Sequence, residues 1–351
     1  MDSIGWRGHR HLLSVDDFSR EELEAMLDTA TVLRPYSDEG NKLDILSGFI
    51  LKPVFFEPSS RTQNSFEATM LAMGGDVLSP HLTITSSMEK GETEGDTITT
   101  YAQYSDFLIV RHPRAHSVED FSHLLDNQGN RARIINAGDG PNEHPTQAVL
   151  DLYTVRKEVG DLDGITYILL GDLKFGRTIH SLVLGARKFD GVNFVGFPVG
   201  GLSLSPAYRQ NGYDEYDISD LLQFLESLPR NNRVVIYATR VQWERIARER
   251  GYNLDQLSEE EKSEIRREIN QELNYQVTEQ HLTSAPAITT LLHPLPKGSE
   301  IPDSLFYSQD SKVAPIRQMR YGLPVRMAIL GLYAGREEKI LSLPRHAIHV
   351  A

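Results

Sequence analysis

The chain has 351 residues, is 40% hydrophobic and 24% charged, carries a formal net charge of −13 and contains no cysteine. Its length exceeds one small core and predicts two domains, and its acidic balance argues against a nucleic-acid surface. Without cysteine there is no disulfide, no thiolate metal site and no thiol nucleophile. The opening segment MDSIGWRGHRHLLSVDDF lacks an apolar signal core, and no apolar run approaches the ~18 residues of a membrane span, so a cytoplasmic protein is expected. Ser14-Val-Asp-Asp-Phe-Ser opens a predicted first helix, with Leu23, Met26, Leu27 and Ala30 at helical spacing. A strand over 50–56 feeds a helix over 64–73, which stops at Gly74-Gly75. The runs 107–111 and 133–136 are short and apolar and end in polar residues, the pattern of buried parallel strands. Beyond residue 148 come a helix over 148–155, a strand over 165–170, a helix over 178–188 and strands over 192–197 and 234–238. Strand–helix alternation of this kind predicts an α/β fold built from doubly wound parallel sheets. Residues 258–282 read as one charged surface helix, with the capping box Ser258 to Glu261 and a thin stripe of Ile265, Ile269, Leu273 and Val277. An apolar helix over 325–335, placed to dock back on the first domain, completes the reading.

The stretch FEPSSRTQNSF (56–66) sets a cation and several hydroxyls at a helix start. A helix N-terminus offers N–H groups and a positive dipole end. Capping needs one hydroxyl; Ser59, Ser60 and Thr62 together with Arg61 fit a phosphate better. In NAGDGPNEHPTQAVLDLYT (136–154), a tight loop leads to His144 and Gln147, three apart on one helix face. Taken alone, such a pair is more often structural than catalytic, and no third ligand at metal spacing accompanies it. GDLKFGRTIHS (171–181) has phosphate-loop spacing, but Asp172 and the bulky Arg177 argue against a nucleotide and favour Arg177 aimed at a carboxylate. IYATRVQWER (236–245) delivers Arg240 and Gln242 to one side of an extended strand end, and no acidic residue is read as neutralising Arg177 or Arg240. In LLHPLPKGSE (291–300), Pro294 and Pro296 remove two N–H groups and leave carbonyls to point inward. With Arg111 and His144 as further donors beside the phosphate cradle, the set suits a cofactor-free joining of a phosphorylated small molecule to a dicarboxylic one.

The stretches FFEPSSRTQNSFE, EKGETEGDT, VRHP, NAGDGPNEHPTQAVLDLYT, GDLKFGRTIHSL, TRVQWER, HPLP and GLPVRMAILGL, in this order over roughly 50 to 335, resemble the aspartate/ornithine carbamoyltransferase family, and within it the aspartate carbamoyltransferase catalytic chains. The resemblance implies two α/β domains with the active site in the cleft between them. A carbamoyl-phosphate domain would span 1–146, completed by a C-terminal helix of about 313–351, and an aspartate domain 147–312. It implies transfer of a carbamoyl group from carbamoyl phosphate to L-aspartate, as in pyrimidine biosynthesis, with no metal and no cofactor. Ser59, Ser60, Arg61 and Thr62 would hold the phosphate. Thr62, Arg111 and His144 would donate to the carbonyl oxygen, and Gln147 with the carbonyls of Pro294 and Leu295 would take the carbamoyl nitrogen. Arg177, Arg240 and Gln242 would hold aspartate, and Lys90, from the loop 83–95, would reach the neighbouring subunit's site in a homotrimer. A regulatory chain or a larger assembly is left open.

Several positions depart from that pattern. Ser60 stands where Thr or Gly is usual, Gln63 and Lys297 replace arginines, and 251–282 is longer than expected. Two other readings fit these residues less well. A carbamoyltransferase for a different amino acceptor is the nearer one, but ornithine-type relatives carry a Cys where this chain has Pro294. A catalytically silent assembly homologue is the other, and against it every polar position needed for catalysis is filled.

Overall fold

The computed structural model describes residues 6–78, 91–209 and 212–344. It divides into two compact units, one of residues 1–153 with 320–351 and one of 154–319.

In the first unit, β1 (Ile50–Phe55), β2 (Asp76–Val77), β3 (Phe107–His112) and β4 (Arg133–Asp139) form a parallel sheet in the order β2-β1-β3-β4. Parallel neighbours require crossovers, supplied here by α2 (Ser60–Ala72), α3 (Glu94–Ala102) and α4 (Ser117–Asn127), after a leading α1 (Arg20–Glu39). The strand centres are buried on both faces: Val54, Leu108, Val110 and Ile134 pack with Ile98 and Phe121 from the helices. Leu12 joins β4 at its edge, its N–H donating to Ile134 O at 2.9 Å and its carbonyl accepting from Asn136 N at 2.9 Å. Helix α1 starts later than Ser14. Ser19 is its cap: its hydroxyl accepts from Glu22 N at 3.2 Å, while Glu22 Oε2 accepts from Ser19 N at 2.9 Å. The Ser14 hydroxyl donates instead to Glu143 Oε1 at 2.5 Å. Helix α2 likewise begins at Ser60 rather than Asn64, so the hydroxyl-rich stretch is itself the first turn.

After β4 runs α5 (Pro145–Glu158). The second unit holds β5 (Ile165–Gly171), β6 (Asn193–Pro198), β7 (Asp214–Glu215), β8 (Arg233–Ala238) and β9 (Ile288–Leu292), all parallel, in the order β7-β6-β5-β8-β9. Its helices are α6 (Arg177–Ala186), α7 (Leu221–Ser227), α8 (Trp243–Glu249), α9 (Glu259–Glu272), α10 (Glu279–Ser284) and α11 (Asp303–Phe306). Then come α12 (Pro315–Tyr333) and α13 (Glu337–Leu341). The α/β architecture expected from the strand–helix alternation is thus present twice, and each sheet reverses its strand order once, between β1 and β3 and between β5 and β8.

Residues 258–282 are not one helix. Helix α9 ends at Glu272, and the next residues are tied elsewhere: at the end of β8 the Tyr275 hydroxyl donates to Thr239 O at 2.7 Å and accepts from Thr239 N at 3.0 Å, and Val277 N donates to Glu300 O, in the turn beyond β9, at 2.8 Å. Gly171, at φ +99°, makes room for this, because a Cβ there would meet Thr239 O at 2.4 Å and the Tyr275 hydroxyl at 2.7 Å. Among the described residues no helix is long and apolar enough to cross a membrane.

Candidate active site

In both units the described residues singled out from the sequence lie at or just beyond the carboxyl ends of strands, and most of them at the strands flanking the reversal of order. Ligands of open parallel sheets bind there.

In the first unit, Ser59 precedes α2 but makes no side-chain cap to the helix backbone; its hydroxyl donates to Thr62 Oγ1 at 3.2 Å. The first turn carries no acidic residue, and Ser60 and Arg61 are exposed while Thr62 is buried. A helix start with donors, a positive dipole end, a guanidinium and no carboxylate is built for an anion. On the adjacent strand the register sets Phe55 beside Arg111. The Arg111 guanidinium pairs with Glu57 Oε1 at 2.7 Å and donates to Ala137 O at 3.2 Å, which aligns it along the strand ends.

The loop after β4 is organised by one buried carboxylate. Asp139 accepts from His116 N at 2.9 Å, Asn142 Nδ2 at 2.9 Å, Asn136 Nδ2 at 3.0 Å and Glu143 N at 3.2 Å. Gly140, at φ +56°, lets the loop pass close to the previous strand's exit, since a Cβ would meet Pro113 O at 2.6 Å. The loop delivers His144 and Gln147, both buried. His144 Nδ1 lies 3.3 Å from the Thr146 hydroxyl. Gln147 Nε2 donates to Asp151 Oδ1 at 2.8 Å.

In the second unit, the loop 172–176 is held by Asp172, which is fully buried and accepts from Phe175 N at 2.9 Å and Gln242 N at 3.1 Å. Burial pushes its carboxyl up, although the two N–H donors and the charges of Arg240 and Arg245 pull the other way. A carboxylate at this point repels phosphate, which disposes of the nucleotide-loop reading and leaves Arg177 at the start of α6. Arg240 is not without an acidic neighbour, contrary to the sequence reading: its Nη1 pairs with Glu244 Oε2 at 3.1 Å, one helical turn on. The pair is half-exposed and so weak, on the order of 0.5 kcal/mol. Gln242 is engaged at both ends of its amide, Nε2 donating to Phe175 O at 2.6 Å and Oε1 accepting from Arg245 Nε at 3.1 Å. After β9, His293 is buried with Nε2 2.7 Å from Glu300 Oε1, and its Nδ1 accepts from Leu295 N at 2.9 Å. Leu295 sits at φ +58°, a conformation costly for a branched side chain, and the buried His293–Glu300 pair holds the backbone there. Lys297 pairs with Asp303 and lies over the Phe306 ring.

Lys90 lies outside the described residues. Glu57, Asp139 and Glu300, which hold predicted residues in place, are not singled out in the sequence reading although all three stand inside the quoted motifs, and Asp172 is noted there only as an argument against a nucleotide. Among the described residues no group of three or more His, Asp or Glu could hold a metal ion.

Two family models match the chain: aspartate/ornithine carbamoyltransferase, carbamoyl-P binding domain, over residues 10–157, and the Asp/Orn binding domain over 163–333. The chain is 37% identical over 337 residues to the aspartate carbamoyltransferase catalytic subunit of Thermococcus kodakarensis, covering 95% of this chain and 99% of that one. It is 38% identical over 322 residues to the multifunctional protein pyr-3 of Neurospora crassa, covering 92% of this chain but spanning only 16% of that longer protein. A crystal structure of aspartate transcarbamoylase from Trypanosoma cruzi in complex with carbamoyl phosphate and aspartate superposes with a TM-score of 0.76 at 32% identity, covering 92% of this chain and 95% of the other.

Proposed function

The chain belongs to the aspartate/ornithine carbamoyltransferase family, and from that premise we propose that it transfers the carbamoyl group of carbamoyl phosphate to the amino group of L-aspartate, giving N-carbamoyl-L-aspartate and phosphate, a step of pyrimidine biosynthesis. One observation carries the reading. The strand ends at the order reversal of one sheet bear an acid-free helix start with Arg61, and those of the other bear Arg177 and Arg240. A phosphate and a dicarboxylate are the anions these two sets fit.

In this reading residues 1–146 with about 313–351 bind carbamoyl phosphate and 147–312 bind aspartate. Ser59, Ser60, Arg61 and Thr62 grip the phosphate. Thr62, Arg111 and His144 donate to the carbonyl oxygen as it gains charge, and Gln147 with the carbonyls of Pro294 and Leu295 accepts from the carbamoyl NH2. Arg177, Arg240 and Gln242 clamp the aspartate carboxylates, Gln242 exchanging the Phe175 carbonyl for the ligand. The amine lone pair forms the new C–N bond, the bond from the carbonyl carbon to the bridging oxygen breaks, and phosphate leaves with that electron pair and takes up the proton that the amine gives. Fixed donors and the alignment of two substrates supply the acceleration, with no covalent intermediate and no cofactor. Lys90 acts in the neighbouring subunit's site of a cytoplasmic homotrimer.

The test is carbamoyl phosphate consumption with aspartate, ornithine or no acceptor. Aspartate should drive phosphate release and succinate should compete with it; a preference for ornithine, or no effect of succinate, would sink the assignment. For the trimer, mixing inactive Lys90→Ala and Arg61→Ala chains should restore part of the activity. No recovery after verified subunit exchange would refute the shared site.

A further inference from the structure

Gln147 and Asp151 lie one turn apart on α5 and both are buried, at 8% and 0% exposure. Gln147 Nε2 donates to Asp151 Oδ1 at 2.8 Å. An amide can turn either its oxygen or its nitrogen toward a neighbour, whereas an ionised carboxylate only accepts. Asp151 therefore takes the nitrogen and turns Gln147 Oε1 to the opposite side, as an acceptor. In the same unit α12 buries Arg326, 5% exposed, with Nη1 donating to Gly322 O at 3.2 Å and the guanidinium 5.2 Å from the centre of the Phe66 ring. Gly322 makes room for it, as a Cβ there would meet Arg326 Nη1 at 2.4 Å. Burial pulls the Arg326 pKa down to about 10, and the charge of Asp151 is the influence that opposes this.

We propose that Asp151, buried one turn beyond Gln147 and bonded to its amide nitrogen, is a positioning residue that fixes the flip of the Gln147 amide and so selects a carbonyl substrate bearing NH2 over its methyl isostere. The inference rests on the placement of Gln147 at the carbamoyl nitrogen. It assigns Asp151 a part in substrate discrimination without contact to the substrate.

The experiment compares carbamoyl phosphate, acetyl phosphate (CH3 in place of NH2) and inorganic phosphate as ligands of the full chain and of three variants. In Asp151→Asn the new amide can donate as well as accept, so Gln147 is no longer held in one flip. The preference for carbamoyl over acetyl phosphate should fall by about tenfold, the worth of one hydrogen bond, while inorganic phosphate affinity stays within about twofold. A merely structural lesion would weaken all three ligands together, and that result overturns the proposal. Gln147→Ala separates the two layers. If it abolishes the preference but Asp151→Asn keeps it, positioning by Asp151 is refuted and the Gln147 placement stands. If Gln147→Ala keeps the preference, the placement fails and the inference with it. Should the Asp151→Asn chain not fold, Asp151→Ser, smaller and likewise able to donate, takes its place with the same expected and overturning results.

Discussion

Asp139→Ala tests whether the loop after β4 owes its shape to one side chain. The carboxylate is 1% exposed and takes four donors between 2.9 and 3.2 Å: two backbone N–H groups, of His116 and Glu143, and two Asn amides. The amides can rotate toward other acceptors, as Asn136 already does toward Leu13 O at 3.0 Å. The two backbone N–H groups cannot, and each buried donor left unmade costs about 1–3 kcal/mol. Removing Asp139 should therefore destabilise the protein by about 4 kcal/mol, and Asp139→Asn, which keeps one acceptor oxygen, by about half of that. The measurement is the shift of the urea midpoint at fixed protein concentration, followed by far-UV circular dichroism. Because His144 and Gln147 follow directly on this loop, kcat/KM should fall at least tenfold under conditions where the variant is folded. A loss below about 1 kcal/mol for Asp139→Ala would show that the loop is held by something else.

Three further outcomes are expected. Arg61→Ala should lower kcat/KM by about a hundredfold or more, as removal of a fixed donor to a developing charge does, with Tm nearly unchanged because the side chain is exposed; near-wild-type turnover in the folded variant would remove the cradle. Arg240→Ala should raise the KM for aspartate and lower kcat together, while the KM for carbamoyl phosphate moves far less, and equal effects on both substrates would contradict its assignment. For Glu300, burial pushes the carboxyl up, but the hydrogen bond and charge of His293 and the N–H of Gly298 hold it, on balance, below the usual carboxylate range. A lowered native pKa contributes stability that is fully present above the unfolded value and lost as pH falls through the native one. The Tm gap between the natural chain and Glu300→Gln should thus be largest near neutrality and close in strong acid, and a gap independent of pH would argue against the pair.

The long strands were legible because a parallel strand buried on both faces is a continuous apolar run; five of the expected spans end within about a residue of the observed ones, β4 runs three residues past its expected end, and the two-residue edge strands β2 and β7 gave no such run. Helix boundaries were harder. Ser14 and Ser19 both offer a hydroxyl, and the deciding signal was the Glu three residues after Ser19. The stripe Ile265, Ile269, Leu273, Val277 keeps helical spacing through a real break, because the hydrogen bonds of Tyr275 to Thr239 at the end of β8 and of Val277 to Glu300, invisible in local pattern, outweigh local propensity. The Arg240–Glu244 pair was readable as an i,i+4 partner inside the quoted motif and was overlooked. The Glu57–Arg111 pair was not readable, since it exists only through the register that sets Phe55 beside Arg111.

The Tyr275 hydroxyl closes the excursion that leaves the sheet after β8, gripping the Thr239 backbone at both its N–H and its carbonyl. Everything between Gly251 and Leu273 is thereby upstream of a clasp. The turn at Gly251, Tyr252 and Asn253 is exposed, as is the outer face of α9 with Glu264, Arg267, Glu268 and Gln271, while Ile265, Ile269 and Leu273 seat the helix on the core, Leu254 seats the stretch before it, and Arg250 pairs with Glu272. This makes the excursion a handle: an affinity peptide or fluorophore site can be written into its outer face, and its length altered at the 251–253 turn, with the strand ends that carry Arg240 left where the clasp holds them.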